Sequence, residues 1–79
     1  MTQRVVSQAL MFDHLGEEVN VILHDGTSYW RKLIAVSKSG IVLAALQDAY
    51  QHYPKTIKQE DIRSFGTEAE GILEEVPSP

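Results

Sequence analysis

No cysteine occurs among the 79 residues, which excludes disulfide bonds as a source of stability. The three histidines, at positions 14, 24 and 52, lie far apart and match no familiar metal-ligand spacing, so no metal site is predicted. A domain of this length buries only roughly 60 to 65% of the surface that its unfolded chain exposes. Because its core is therefore small, we expect contacts between subunits to supply additional stability.

The chain also lacks a long apolar run. No stretch reaches the roughly 18 residues that a membrane span requires. The N-terminus has neither the basic region nor the apolar core of a signal peptide. The absence of cysteine suits a reducing compartment. We therefore expect a cytoplasmic protein without a membrane partner.

Catalytic patterns are missing as well. The serines at positions 28, 37 and 39 stand in no nucleophile-elbow context, the histidines have no evident charge-relay partner, and the glycines form no phosphate-binding loop. Adjacent acidic residues such as Glu60 and Asp61 would point to opposite faces of a strand. The sequence therefore predicts a protein that is not an enzyme and has no cofactor.

Basic residues are absent from one end of the chain. The formal net charge is -4, and residues 66–79 contain four glutamates and no lysine or arginine, so this segment accounts for the whole acidic excess. Residues 27–65 instead carry six basic residues against three acidic ones. This local positive charge favours an anionic partner for that half of the chain.

Hydrophobic periodicity predicts one helix followed by short strands. Apolar residues recur at helical spacing over about 3–14, and Gly16 follows as a C-terminal stop. The period then changes to two, which predicts strands over about 18–24 and 27–36 joined by a two-residue type I′ turn at Asp25-Gly26. In the second strand Tyr29 and Trp30 point to opposite faces, and we expect Trp30 to pack beneath the helix or at a subunit contact.

Three more strands are predicted in the second half of the chain, over about 41–50, 55–59 and 61–65. The apolar run from Ile41 to Ala49 also contains good helix formers, but its place after a hairpin turn favours a strand. Residues 67–79 are acidic, contain two prolines and show no periodicity. We expect this segment to be a flexible tail.

Three short motifs, in order, resemble those of the Sm-like family. "VNVILHDG" at 19–26 resembles the family's first motif, "LQDA" at 46–49 the end of its third strand, and "IKQEDIRSF" at 57–65 its second motif. The likeness covers residues 5 to 65. It implies a mainly β fold over residues 1–66, a small SH3-like open barrel of five bent antiparallel strands with one N-terminal α-helix.

The resemblance also implies a partner and a site. Sm-like proteins form homo-oligomeric rings of about five to seven subunits, in which the fourth strand pairs with the fifth strand of a neighbour, and they bind single-stranded RNA at the pore or ring face. The RNA-binding candidates in this chain are Ser37, Lys38, Ser39, Lys58 and Gln59. The candidates for the oligomer interface are Tyr50, Tyr53, Ile57, Ile62 and Phe65.

The sequence departs from the family pattern at three places. Arg31 stands where the first motif has a glycine, "SKSGIVL" lacks the asparagine and aromatic residue that hold a base, and Gln59 replaces a glycine of the second motif. These departures leave a second hypothesis open, in which the chain is a non-enzymatic protein-assembly module with an SH3-like barrel that has lost the RNA pocket.

Overall fold

A computed structural model describes residues 4–45 and 53–77. They form one helix, α1 (Gln8–Asp13), and six strands, with a one-turn 3₁₀ helix (Gln59–Asp61) between the fourth and fifth strands. The strands are β1 (Glu18–Leu23), β2 (Ser28–Val36), β3 (Gly40–Leu43), β4 (Lys55–Lys58), β5 (Ile62–Thr67) and β6 (Gly71–Glu75). They form one unclosed sheet in the order β4-β3-β2-β1-β5-β6, and each neighbouring pair is antiparallel. The predicted mainly β fold is confirmed at this level, with six strands where five were expected.

The helix is shorter than the sequence predicts. It begins after Ser7, whose hydroxyl accepts a hydrogen bond from the Leu10 N–H at 3.3 Å, and it is followed by Gly16 with a φ of 88°. The segment before it makes tertiary contacts instead of helical ones. Val6 is fully buried and its carbonyl oxygen accepts a bond of 2.8 Å from the Gln59 side chain. Helical spacing of apolar residues did not distinguish this packed, non-helical segment from a helix.

The turn between β1 and β2 lies where the sequence predicts it but belongs to another class. A type I′ turn needs positive φ at both central residues, whereas only Gly26 has one, at 93°. The Gly26 N–H donates to the Leu23 carbonyl, and the Leu23 N–H donates to the Thr27 carbonyl. This is the pattern of a three-residue loop with a glycine bulge, so Asp25 keeps an ordinary backbone conformation.

One hydrophobic core joins the sheet, α1 and the N-terminal segment. Its buried side chains come from the N-terminal segment, from the helix, from strands β1 to β5 and from the residue after β6. They are Val6, Met11, Val19, Val21, Leu33, Ile41, Leu43, Ile57, Ile62, Phe65 and Val76. Of the two adjacent aromatic residues on β2, Tyr29 packs against this core. Trp30 is 52% exposed, so its expected burial under the helix does not occur.

Three predicted interface residues also belong to this core. Ile57, Ile62 and Phe65 are at most 3% exposed, so their side chains are not accessible to a neighbouring subunit. Tyr53 is 80% exposed, and Tyr50 lies outside the described residues. The strand pattern around these three apolar residues also predicts that they are buried, and this prediction is confirmed.

The predicted flexible tail contains β6 instead. Gly71 adopts a φ of 73°, which allows the chain to turn back after β5, and β6 then pairs with β5 along its length. Val76 follows the strand and is buried. The predicted third strand over 41–50 ends at Leu43 among the described residues, and residues 46–52 lie outside them. No helix in the described ranges has the length and apolar character needed to cross a membrane.

Candidate nucleic-acid interface

The predicted RNA-binding residues meet at one end of the sheet. Ser37, Lys38 and Ser39 form the turn from β2 to β3, Lys58 ends β4, and Gln59 begins the 3₁₀ helix that follows. Strand pairing brings the two segments together, because Gly40 on β3 lies opposite Lys58 and the Gln59 N–H donates to the Ser39 carbonyl at 2.9 Å. The order of segments in the sequence was therefore sufficient to predict this proximity.

Gly40 allows the two segments to approach so closely. A Cβ atom at this position would clash with the backbone carbonyl oxygen of Ile57 on the paired strand. Because the obstacle is backbone, it cannot rotate away as a flexible side chain would. Glycine at position 40 thus fixes how the turn is placed over the end of β4.

A groove of about 540 Å³ lies between the turn, the end of β4 and the N-terminal segment. This volume is within the range of about 300 to 1,000 Å³ that is typical of ligand pockets. We call it the turn groove. It is lined by Val5, Lys38, Ser39, Thr56, Lys58, Gln59 and Glu60. Four of the five predicted RNA-binding residues are among them.

The lining combines two cations, hydroxyl groups and one apolar side chain. Lys38 and Lys58 are exposed, and neither forms a salt bridge with another described residue. Glu60 is the acidic residue of the lining and is also exposed. The groove therefore has a net positive charge, which favours an anionic ligand such as a phosphate group.

Two of the predicted residues have structural roles. The Gln59 amide donates to the Val6 carbonyl at 2.8 Å, which holds the N-terminal segment against the groove. The Ser37 hydroxyl donates to the Gly40 carbonyl and lies 3.3 Å from the Ser39 hydroxyl, so it stabilises the turn. Ser37 does not line the groove. Sequence reasoning missed Val5, because the helix was predicted to begin at about residue 3 and instead begins at Gln8. It also missed Thr56 and Glu60, which lie two residues to either side of Lys58.

A second basic and aromatic cluster lies at the other end of β4. The guanidinium of Arg31 is 5.3 Å from the centre of the Tyr29 ring, and the ammonium of Lys55 is 6.0 Å from it. Lys55 and Lys58 are about 10 Å apart along the strand, given about 3.3 Å per residue. Strand β4 thus carries positive charge at both ends. The alternation of Tyr29 and Arg31 in the sequence was a usable signal for this contact.

An apolar groove of about 370 Å³ lies beside α1, lined by Gln8, Ala9, Phe12, Asp13 and Val36. Phe12 is 59% exposed there. This exposure is unusual, since an apolar residue at helical spacing is usually buried. The exposed ring leaves a surface that suits contact with another apolar group.

Comparison of the chain with protein-family models, with curated proteins and with solved structures gives no match.

Proposed function

We propose that this chain is a cytoplasmic, non-enzymatic Sm-like subunit that forms a homo-oligomeric ring and binds single-stranded RNA in the turn groove. The observation that carries the proposal is the convergence of Lys38, Ser39, Lys58 and Gln59 on one groove, although they come from segments about 20 residues apart in the sequence. The positive charge of the groove favours an anionic ligand, and the motifs that resemble the Sm-like family are the reason for proposing RNA as that ligand.

The chemistry of the turn groove suits a single strand better than a duplex. Two lysines can neutralise neighbouring phosphates, hydroxyl groups of Ser39 and Thr56 can accept or donate to sugar and base edges, and Val5 offers an apolar contact to a base. A concave site of this size admits an unstacked nucleotide but not a base-paired helix. The family's asparagine is missing, so base recognition would depend on Ser39, Thr56 and the free oxygen of the Gln59 amide.

Fluorescence anisotropy with labelled U-rich and A-rich oligonucleotides at about 100 mM salt tests the proposal. We expect Lys38→Ala and Lys58→Ala each to weaken binding roughly three- to tenfold, since each removes about 1 kcal/mol of charge interaction with a phosphate. The measurement compares dissociation constants of the two variants with that of the unaltered chain.

Lys32→Ala is the matched control, because Lys32 is an exposed lysine on the central strand β2 and does not line the turn groove. We expect its dissociation constant to match that of the unaltered chain. Absence of binding to either oligonucleotide, or equal losses in all three alanine variants, would reject the turn groove as the RNA site.

A second candidate function is protein assembly, favoured by the exposed apolar residues around α1. Phe12, Leu15 and Ile34 are all more than 40% exposed, and Phe12 lines the apolar groove beside the helix. Apolar and aromatic groups of this kind dominate the centres of protein interfaces. Affinity purification separates the two candidates: recovery of nucleic acid without a protein partner would argue against the assembly role.

A further inference from the structure

The described sheet has two free edges. Strand β4 pairs only with β3, and β6 pairs only with β5, so within residues 4–45 and 53–77 no strand covers the outer side of either. Such an edge presents a row of unpaired backbone N–H and C=O groups and is a template for pairing with another chain. A ring of subunits can satisfy both edges if one end of each sheet pairs with the other end of the next.

The strand pairing between subunits that the Sm-like resemblance implies is blocked in this chain, because β5 has no free edge. It would join β4 of one subunit to β5 of its neighbour, but β5 lies between β1 and β6 and both of its sides carry pairing partners. The edge that remains on that side of the sheet is β6. Assembly through strand edges must therefore use β6 or displace it.

Charge distinguishes the two edges. Strand β4 has the sequence KTIK, with Lys55 and Lys58 and no acidic residue. Strand β6 has the sequence GILEE, with Glu74 and Glu75 and no basic residue. The Glu74 carboxylate accepts a hydrogen bond of 2.8 Å from the Ser7 N–H, whereas Glu75 is exposed.

We propose that two copies of this chain associate through pairing of the β4 edge of one copy with the β6 edge of the next. Opposite charges then face each other across the new pair of strands, which is stabilising, whereas like charges directly opposite are destabilising. Pairing of β4 with β4 would bring lysines together, and pairing of β6 with β6 would bring glutamates together. The charges therefore select a head-to-tail arrangement over a two-fold dimer.

Strand direction and exposed apolar side chains support the same arrangement. The six strands alternate in direction, so β4 and β6 run in opposite directions, and subunits repeating side by side would meet as an antiparallel pair. Ile72 on β6 is 58% exposed, and Tyr53, two residues before β4, is 80% exposed. Burial of such side chains at the junction would add apolar contact to the backbone hydrogen bonds.

The inference deepens the proposed self-association and does not depend on RNA binding, because oligomeric mass is measured without RNA. Light scattering coupled to size exclusion, at about 50 µM protein, would compare the full chain with Lys55→Glu, with Glu75→Lys and with the variant that carries both changes. We expect the unaltered chain to be a multimer, each single reversal to shift it towards monomer, and the double reversal to restore the multimer. Neither residue lines the turn groove, so RNA binding by a single subunit is expected to persist.

Lys32→Gln on the central strand β2 is the control and is expected to leave the mass unchanged, because Lys32 lies on neither edge and glutamine adds no second negative charge opposite Glu18. A monomeric unaltered chain, single reversals that keep the multimer, or a double reversal that remains monomeric would each overturn the proposal.

Carbodiimide cross-linking of the unaltered chain gives a test that requires no variant. In a mixture of ¹⁴N- and ¹⁵N-labelled protein, we expect amide bonds between Lys55 or Lys58 of one copy and Glu74 or Glu75 of the other. Intermolecular links confined to other positions would contradict pairing of these edges, and would indicate another surface, such as the apolar groove beside α1.

Discussion

At the scale of single residues, Asp25 stabilises the turn between β1 and β2. Its carboxylate accepts a hydrogen bond of 2.9 Å from the Thr27 N–H. This bond, and then the bond from the Thr27 hydroxyl, lower the pKa of Asp25 below its ordinary value of 3.8. The carboxylate thus has a local role in the hairpin, where the sequence suggested only the conformational preference of an Asp-Gly pair.

This lowered pKa predicts a pH-dependent contribution to stability. Because the folded pKa is below the unfolded one, the contribution is complete above the ordinary value of 3.8 and is lost as the pH falls through the lowered folded value. Asp25→Asn keeps a side-chain oxygen acceptor but does not titrate. We expect the difference in melting temperature between the two proteins to be constant near neutral pH and to shrink in acid. A difference that stays unchanged well below pH 3.8 would contradict this role.

At the scale of elements, β6 is the feature that the sequence did not reveal. The alternation that identified β1 arises because Val19 and Val21, two residues apart on one face, are buried, whereas in β6 no residue is fully buried. The sequence segment around it is acidic and contains prolines, a composition that is typical of a disordered tail. The sequence signal for this strand was a turn with Thr67 at its start and Gly71 at its end. In the structure the Glu70 N–H donates to the Thr67 hydroxyl, and Gly71 follows with positive φ.

Val76 provides a test of whether β6 contributes to the folded core. Its side chain is 1% exposed, and its N–H donates to the Arg63 carbonyl at 2.8 Å. We expect Val76→Ala to lower the free energy of unfolding by about 2 kcal/mol, through lost burial and a small cavity. Urea denaturation measures this change.

Ile72→Ala is the control within the same segment, because Ile72 is 58% exposed. We expect it to change the free energy of unfolding of the monomer by less than about 0.5 kcal/mol. Equal effects of the two substitutions would mean that the segment after β5 does not pack as described.

At the scale of the whole molecule, the N-terminal segment connects the two ends of the unclosed sheet. Val6 accepts a hydrogen bond from Gln59, at the end of β4, and the Ser7 N–H donates to Glu74 on β6. The same segment contributes Val5 to the turn groove. The turn groove, the two sheet edges and the N-terminal segment therefore form one connected region. This explains why the incorrect prediction of a helix over the first residues also hid the contribution of Val5 to the groove.

The sequence predicted which segments lie close together better than it predicted the exposure of Trp30, for a physical reason. Residues such as Lys38 and Lys58 were placed by chain order and strand pairing, which hairpin patterns specify. Whether Trp30 lies in the core or on the surface depends instead on how the strands bend and which neighbours cover it, and local patterns do not specify this. The register shift in β2 between Leu33 and Ala35 is one such tertiary feature.

The salt dependence of RNA binding tests the central claim most directly, because it counts the phosphates that the groove neutralises. For single strands, the slope of log K against log salt concentration changes by about 0.7 for each phosphate contact. We expect the variant with both Lys38→Ala and Lys58→Ala to have a slope shallower than that of the unaltered chain by about 1.4, since it loses two contacts of about 0.7 each. The same slope in both proteins would contradict RNA binding in the turn groove.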